Sequence, residues 1–425
     1  MNFPLRISRF LIIVLEMGIT LSILLFYYLR WGTFENFNAA IDHCDFIFCD
    51  FNKPFYIMGE NILTVKAPTN GFYYSPFAAL LFLPYGQQPR QLALILWGIS
   101  LFIGLIGLYL VWQPFMQRNN PPFKLLYLFL LFTAFPVLHN FKWGNISIFI
   151  VLLIFAAMTL YQSGRWIWSS FWLAFASTVN FYPIIFALPF LFKRDLKMLI
   201  AIGLFILLLA IIVPMAVIGL EPTINFYLEV LRNPQSRSPF FVVNGDPRGS
   251  TSQYFPRLML RLLGGTIPEF WLIVVQGVSL LLLAGNMFLA WMAANSRHAD
   301  RLPWSFLFVF TSIPFVVPTS WSHYFVFLPA FQAWAVFAIS RGGRVLAISE
   351  YVLLFISIVL SNGFYYLSFE KRELYAFGGF VFWSSLLLMI VACLEWIPRF
   401  KYSDFLETLK QWLPASTKLR RKPSA

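Results

Sequence analysis

The sequence predicts an all-helical, multi-pass membrane protein, and three observations carry that prediction. Of its 425 residues, 59% are hydrophobic and only 12% charged, against roughly 25% charged in a soluble domain. Mean hydropathy is +0.72. Apolar runs recur from the first residues almost to the last, with basic residues gathered in the short gaps between them. Only lipid can cover that much apolar surface, so residues 1–400 read as one transmembrane domain and 401–425 as a basic cytoplasmic tail.

The first run, Phe10 to Leu29, follows Arg6 and Arg9 as a secretory signal would. It is long enough to span, and no small-residue cleavage site follows, so it is expected to stay as the first helix. Crossings are expected at 9–29, 91–112, 124–138, 146–162, 166–179, 183–192, 197–218, 268–294, 303–318, 323–340, 345–367 and 374–397, about 12 in all. Several fall short of ~17 residues, which allows half-helices among them. With the amino terminus inside, the cytoplasmic gaps hold Arg118 with Lys124, Arg165, then Lys193, Arg194 and Lys197. They continue with Arg297, Arg301, Arg341, Arg344 and the tail. The positive-inside bias thus accounts for the formal net charge of +13 without nucleic acid as a partner.

The apolar stretch Tyr73 to Tyr85 is only about 13 residues long and carries Pro76 and Pro84. Counting it as a crossing would move Arg118 and Lys124 outside and invert every later gap, so it is read as an outer-face interfacial or re-entrant helix. Two long outer segments remain, at about 31–90 and 219–267. Nearly all chemistry-capable residues outside the tail lie in or near them.

No glycine-rich phosphate loop, paired metal motif or nucleophile elbow appears, and no repeat marks the inverted halves of a transporter. The Trp-rich pairs near Trp166 and Trp334 fit aromatic belts at the bilayer edges. The first outer segment concentrates acids in Asp42-His43-Cys44-Asp45-Phe46-Ile47-Phe48-Cys49-Asp50-Phe51. A carboxylate held at an apolar interface gains proton affinity and can serve as a general base; the alternative is a solvated acidic loop. Cys44 and Cys49 can form a local disulfide, stay as thiols, or ligate metal with His43 and the neighbouring acids.

The second outer segment ends in Ser250-Thr251-Ser252-Gln253 and then Tyr254-Phe255-Pro256-Arg257-Leu258-Met259-Leu260-Arg261. On a helix, Arg257 and Arg261 share one face, a spacing that suits either a phosphate grip or snorkelling to lipid headgroups. Cations on the outer face run against the positive-inside bias, which favours the first reading. His323 sits where an outer turn enters a helix and could meet the same phosphate. Glu16, an acid inside the first apolar run, is a functional candidate or a packing device.

The stretch Asp50-Phe51, Tyr56, Gly59 and Ile62-Leu63, followed by Phe72-Tyr73-Tyr74-Ser75-Pro76-Phe77-Ala78-Ala79-Leu80-Leu81 and Pro84, resembles glycosyltransferase family 87. This group of the GT-C superfamily includes polyprenyl-phosphate-mannose-dependent mannosyltransferases. Gly144-Asn145, the segment from Gly164 to Tyr182-Pro183, and Trp321 to Tyr324 add looser matches in the family's order. Asn180 stands where the family often has lysine, and Thr251-Ser252-Gln253 stands in place of an Asn-Gln-Ser-like element.

The resemblance implies a GT-C-type fold and an inverting transfer in which Asp50 deprotonates an acceptor hydroxyl while a lipid phosphate departs. Asp45-Phe46 is a second Asp-Phe pair, but the Tyr and Gly spacing follows Asp50. On this reading Arg257, Arg261 and His323 hold the donor phosphate. Tyr56, Tyr73, Tyr74, Asn145 and Asn180 line the site, with Asp45 and Glu16 as secondary acids.

The donor is a polyprenyl-phosphate sugar, mannose or a related hexose or pentose, and the acceptor a glycolipid or glycan. The site is expected on the periplasmic or extracellular face of the cytoplasmic membrane. No metal or other cofactor is expected, because side-chain cations can stabilise the departing phosphate. The rival readings are a transporter or flippase and a non-catalytic subunit. The first needs a polar path, and apart from Glu16 and residues such as Asn180 and Asn286 the crossings are nearly bare.

Overall fold

The computed structural model describes residues 48–69, 72–116, 121–232, 252–263, 268–296, 300–342, 347–363, 375 and 378–397. The expected first crossing, Glu16, Asp42, His43, Cys44, Asp45 and the basic tail lie outside them. Among the described residues every element is helical. After a π-helical turn at Phe51–Phe55 come α1 (Tyr56–Asn61), α2 (Pro76–Gly86), α3 (Arg90–Trp112), α4 (Pro121–Thr133) and α5 (Phe135–Trp143). Next are α6 (Ser147–Gln162), α7 (Trp166–Val179), a 3-10 turn at Tyr182–Ala187, α8 (Leu188–Phe192) and α9 (Leu196–Ile206). A π-helical stretch joins α9 to α10 (Val213–Ile218), and α11 (Leu220–Arg232) follows. The remainder comprises α12 (Phe255–Leu262), α13 (Glu269–Asn295), α14 (Arg301–Phe310), α15 (Ile313–Val316), α16 (Leu328–Gly342), α17 (Ala347–Ile358) and α18 (Phe380–Trp396).

These helices fall on the apolar runs, because each run is bounded by a residue that starts or stops a helix. Ser75 begins α2 by accepting the Ala78 N–H at 3.0 Å, with Pro76 at the first helical position. Asp195 caps α9 in the same way through Met198 N–H at 3.2 Å. Gly144 ends α5 at φ 63°.

Four stretches, Arg90–Met116, Leu196–Ile218, Phe270–Asn295 and Ser322–Ser340, are long and apolar enough to cross a membrane. The pair α4 and α5, bent by 44°, makes a fifth if it counts as one span. Shorter apolar helices fall on the expected crossings at 146–162, 183–192, 303–318, 345–367 and 374–397. Sixteen residues, as in α6, rise only about 24 Å, short of a ~30 Å hydrocarbon core. Length alone therefore supports four or five spans among the described residues, fewer than the expected dozen.

The lipid-facing surface is legible in the exposures. On α3, Ile95, Ile99, Ile103, Ile106 and Leu110 are all exposed, while Ala93, Trp97, Leu101, Leu108 and Trp112 on the opposite face are buried. An exposed stripe that apolar is tolerable only against hydrocarbon. Inward, glycines set the packing distance: a Cβ at Gly104 would lie 2.9 Å from Ile148 and one at Gly107 2.9 Å from Leu152. Their absence lets α3 press against α6.

Most of the stretch 73–85 falls in the short helix α2, about 16 Å long, which packs on α1. A Cβ at Gly59 would stand 2.2 Å from the Phe82 carbonyl oxygen, and one at Gly86 2.2 Å from the Gly59 carbonyl carbon. Phe51, Phe55, Phe72, Phe82 and Trp97 fill the angle beneath these helices, with Phe51 stacked on Trp97 at 4.8 Å and Phe55 on Phe82 at 4.5 Å.

Candidate active site

Asp50 is placed by two backbone devices. Phe48 adopts φ 55° and donates its N–H to the Lys142 carbonyl at 2.9 Å, anchoring the first polar segment on the last turn of α5. Gly144 meets it from the other side: a Cβ there would approach Phe48 Cα to 2.8 Å and Cβ to 2.6 Å. Trp97 Nε1 donates to the Gly144 carbonyl at 2.9 Å and holds that turn. The role of the Gly144-Asn145 pair is thus steric and then polar: glycine admits the Phe48 backbone, and asparagine reaches the acid behind it.

Asn145 Nδ2 donates to Asp50 Oδ2 at 2.7 Å. Its own Oδ1 accepts from the Ser147 N–H at 3.1 Å and the Ser147 hydroxyl at 2.9 Å, which fixes the amide orientation. Asn140 supports the turn, donating to the Asn145 carbonyl at 2.9 Å. Tyr74, the residue before the α2 cap, also hydrogen-bonds Asn145 and lies within the field of Asp50. Burial raises the Asp50 carboxyl to about 6, against the smaller lowering effect of the Asn145 hydrogen bond. Burial, then Tyr324 and Asp50, push the Tyr74 phenol well above its ordinary value, so it stays protonated.

Tyr324 extends the cluster. Its hydroxyl is hydrogen-bonded by the side chains of Asn180 and Thr319, and its ring stacks on Tyr182 at 5.0 Å. His323, expected as a solitary histidine, instead stacks on His139 at 5.4 Å, with the two Nδ1 atoms 3.4 Å apart. Tyr182 Oη, His323 Nε2, Ser320 Oγ and Trp143 Nε1 are buried without a hydrogen-bond partner. Each such group is left with hydrogen-bonding capacity that a polar partner could use.

The stretch after Pro256 is helical as expected, so Arg257 and Arg261 lie one turn apart on α12. Burial, followed by repulsion from Arg257, lowers Arg261 to about 10, and it remains charged at neutral pH. Gln253 N–H donates to the Ser320 carbonyl at 2.7 Å and Ser252 Oγ to the Pro318 carbonyl at 2.9 Å. The approach to α12 is thereby fastened to the turn that leads into His323.

Tyr56, expected to line the site, has a structural contact. Its hydroxyl donates to the Gln88 carbonyl at 2.9 Å and its ring packs on Phe51, so it fastens α1 to the end of α2. Tyr73 is half-buried beside Tyr74. Asp45 and Glu16 fall outside the described residues. Cys49 is disulfide-bonded, whereas Cys393 is free. Among the described residues no group of three His, Cys, Asp or Glu side chains could hold a metal ion.

Among the residues here not named as site residues from the sequence are Tyr182, Tyr324, His139 and Lys142. His139 and Lys142 lie in one short run with Asn140, and Lys142 is fully buried. The available signal was the rule that ionisable residues inside an apolar region are functional candidates.

The chain matches the sequence model of Glycosyltransferase family 87 over residues 72–318, more than half its length. It is 27% identical over 338 residues to a polyprenol-phosphate-mannose-dependent alpha-(1-2)-phosphatidylinositol pentamannoside mannosyltransferase of Mycobacterium tuberculosis (strain CDC 1551 / Oshkosh), covering 77% of this chain and 73% of that protein. A protein of the same description from Mycolicibacterium smegmatis (strain ATCC 700084 / mc(2)155) is 24% identical over 336 residues, covering 77% and 76%. No solved structure matches the chain. The chain belongs to glycosyltransferase family 87 and is a multi-pass membrane glycosyltransferase.

Proposed function

We propose that this enzyme transfers mannose, or a related hexose or pentose, from a polyprenyl-phosphate donor to a lipid-linked or glycan acceptor, inverting the anomeric carbon. The observation that carries the proposal is the Asp50 carboxylate, oriented by Asn145, raised to about 6 and lying within the field of Tyr74 and Tyr324. A carboxylate with that proton affinity is ionised at neutral pH and can still accept a hydroxyl proton as the bond forms. The acceptor oxygen attacks the sugar carbon, its proton passes to Asp50, the carbon–oxygen bond to phosphate breaks, and polyprenyl phosphate leaves.

Stabilisation of the leaving phosphate is assigned to Arg257, Arg261 and His323. Tyr74, Tyr182, Asn180 and Tyr324 offer hydroxyl and amide groups to the sugar. A donor dissolved in the bilayer explains why no nucleotide-phosphate loop is needed. The acceptor class follows the relatives, which are named as phosphatidylinositol pentamannoside mannosyltransferases. The site is placed on the outer face of the cytoplasmic membrane by the distribution of Lys and Arg, with the shorter helices completing the crossings.

The test is transfer of label from a panel of radiolabelled polyprenyl-phosphate sugars to a membrane extract by the purified enzyme. One sugar of the panel should be transferred. Asp50→Asn should lower the rate by about 10²–10⁴-fold, as loss of a general base does, while Asp42→Asn and Asp45→Asn retain it. Loss at Asp45→Asn with activity kept at Asp50→Asn would move the base to the earlier Asp-Phe pair. Full activity in all three variants would remove the carboxylate mechanism.

A further inference from the structure

A second polar cavity lies one helix-length from Asp50. Helix α6 starts next to Asn145 and ends at Tyr161 and Gln162, about 24 Å away, and these two residues line a pocket of about 1230 Å³. Its other walls come from the turn Lys193-Arg194-Asp195-Leu196-Lys197, the start of α14 at Asp300 and Arg301, and the aromatic rings of Phe115, Trp166 and Phe337. Four cations thus face one space with two acids.

Of the four, Lys193 is half-buried and held by its neighbours, while Arg194, Lys197 and Arg301 are exposed. Lys193 Nζ donates to the Tyr161 hydroxyl at 2.8 Å and stands 4.5 Å over the Tyr161 ring. The Tyr161 hydroxyl donates to Asp195 Oδ2 at 2.8 Å, and Asp195 Oδ1 is occupied in capping α9. Arg194 takes φ 56°, a left-handed conformation that side-chain-bearing residues rarely adopt, so the turn carrying these cations is itself strained. Arg301 lies close enough to repel Lys193, and burial together with that repulsion lowers Lys193 to about 8.

Even with Asp195 and Asp300 present, the lining carries four cations against two acids, a net positive field that draws an anion. One wall of the pocket points to the source of that anion. Leu196 lines the pocket and begins a stripe continuing through Ile200 and Leu204 on α9, each more than 60% exposed. A headgroup in the pocket would therefore place its acyl chains along a surface already suited to hydrocarbon.

We infer that this pocket binds the phosphate headgroup of an anionic membrane lipid, gripped by Lys193 and Arg301, on the bilayer face opposite the glycosyl-transfer site. Basic pockets between transmembrane helices bind such headgroups in this manner, through charge-assisted hydrogen bonds.

Native mass spectrometry of the full chain in detergent tests the inference, with phosphatidylglycerol, phosphatidylcholine or inorganic phosphate added separately. Phosphatidylglycerol adducts should exceed phosphatidylcholine adducts, and Lys193→Gln/Arg301→Gln should reduce them by roughly tenfold or more while leaving phosphatidylcholine adducts unchanged. Arg301→Gln alone provides the comparison if the double variant does not fold, with a loss of several-fold expected on the same basis. Equal binding of the two lipids, or undiminished phosphatidylglycerol binding in the folded variants, would overturn the site. Retention of inorganic phosphate without phosphatidylglycerol would overturn the lipid assignment in favour of a free anion.

Discussion

Asn145 Nδ2 donates a 2.7 Å hydrogen bond to Asp50 Oδ2 across 95 positions of sequence. That contact ties the first polar segment to the start of α6 and makes the proton affinity of Asp50 depend on a residue outside the acidic loop. The amide lowers the Asp50 value and burial raises it, with burial the larger effect and a result of about 6. A base must be ionised to act, so kcat/KM should fall about tenfold per pH unit below about 6. Asn145→Leu removes the lowering contact, so the same limb should begin at higher pH. Identical limbs in the two proteins would assign that ionisation to another group.

Gly144→Ala tests the steric half of the arrangement. The added Cβ would meet the Phe48 backbone at 2.8 Å while the residue holds φ 63°. The turn must shift, and misplacement of a catalytic group by about 1 Å can cost 10²-fold in rate. A loss on that order is expected in kcat, with the protein still folded by its elution profile. Wild-type kcat would mean that Asp50 tolerates movement of the turn.

Arg257 and Arg261 stand on one face of α12, and the proposed role is to grip the donor phosphate. Replacing either with Gln should weaken donor use by about 1.5–3 kcal/mol, the worth of a charge-assisted contact. Donor titrations measure this directly. Unchanged donor kinetics in both variants would assign the pair to anchoring at lipid headgroups.

Topology can be checked with residues at opposite ends of the molecule. Thr64, after α1, and Ser163, after α6, are both exposed. In intact cells Thr64→Cys should react with an impermeant thiol reagent and Ser163→Cys should not, since the proposed outer face carries the first polar segment. The reverse pattern would turn the map over.

The buried serines around Gln332 give a stability test away from both sites. Gln332 Nε2 lies 3.0 Å from Ser357 Oγ, 3.0 Å from Ser361 Oγ and 3.2 Å from Ser384 Oγ, joining α16 to α17 and α18. Gln332→Leu should lower stability by about 0.6–2 kcal/mol, read as a reduced thermal midpoint, with donor binding retained.

What the sequence determined by itself was membrane residence, helix placement and family. Each of these depends on local composition: apolar run length, capping residues such as Ser75 and Asp195, and the ordered motif from Asp50 to Pro84. What only the tertiary structure decided was which of those residues meet. Tyr56 and Tyr74 look alike in the motif, yet Tyr56 turns to the Gln88 carbonyl while Tyr74 turns to Asn145. His139 and His323 are 184 positions apart and reveal their pairing only when α5 packs against the turn at Ser322–Phe325. Local sequence sets where a helix begins and which face is apolar, but long-range contacts depend on how helices pack. Here that packing depends on glycines such as Gly144 and Gly59, whose missing side chains give no sign in the sequence of what will occupy the space.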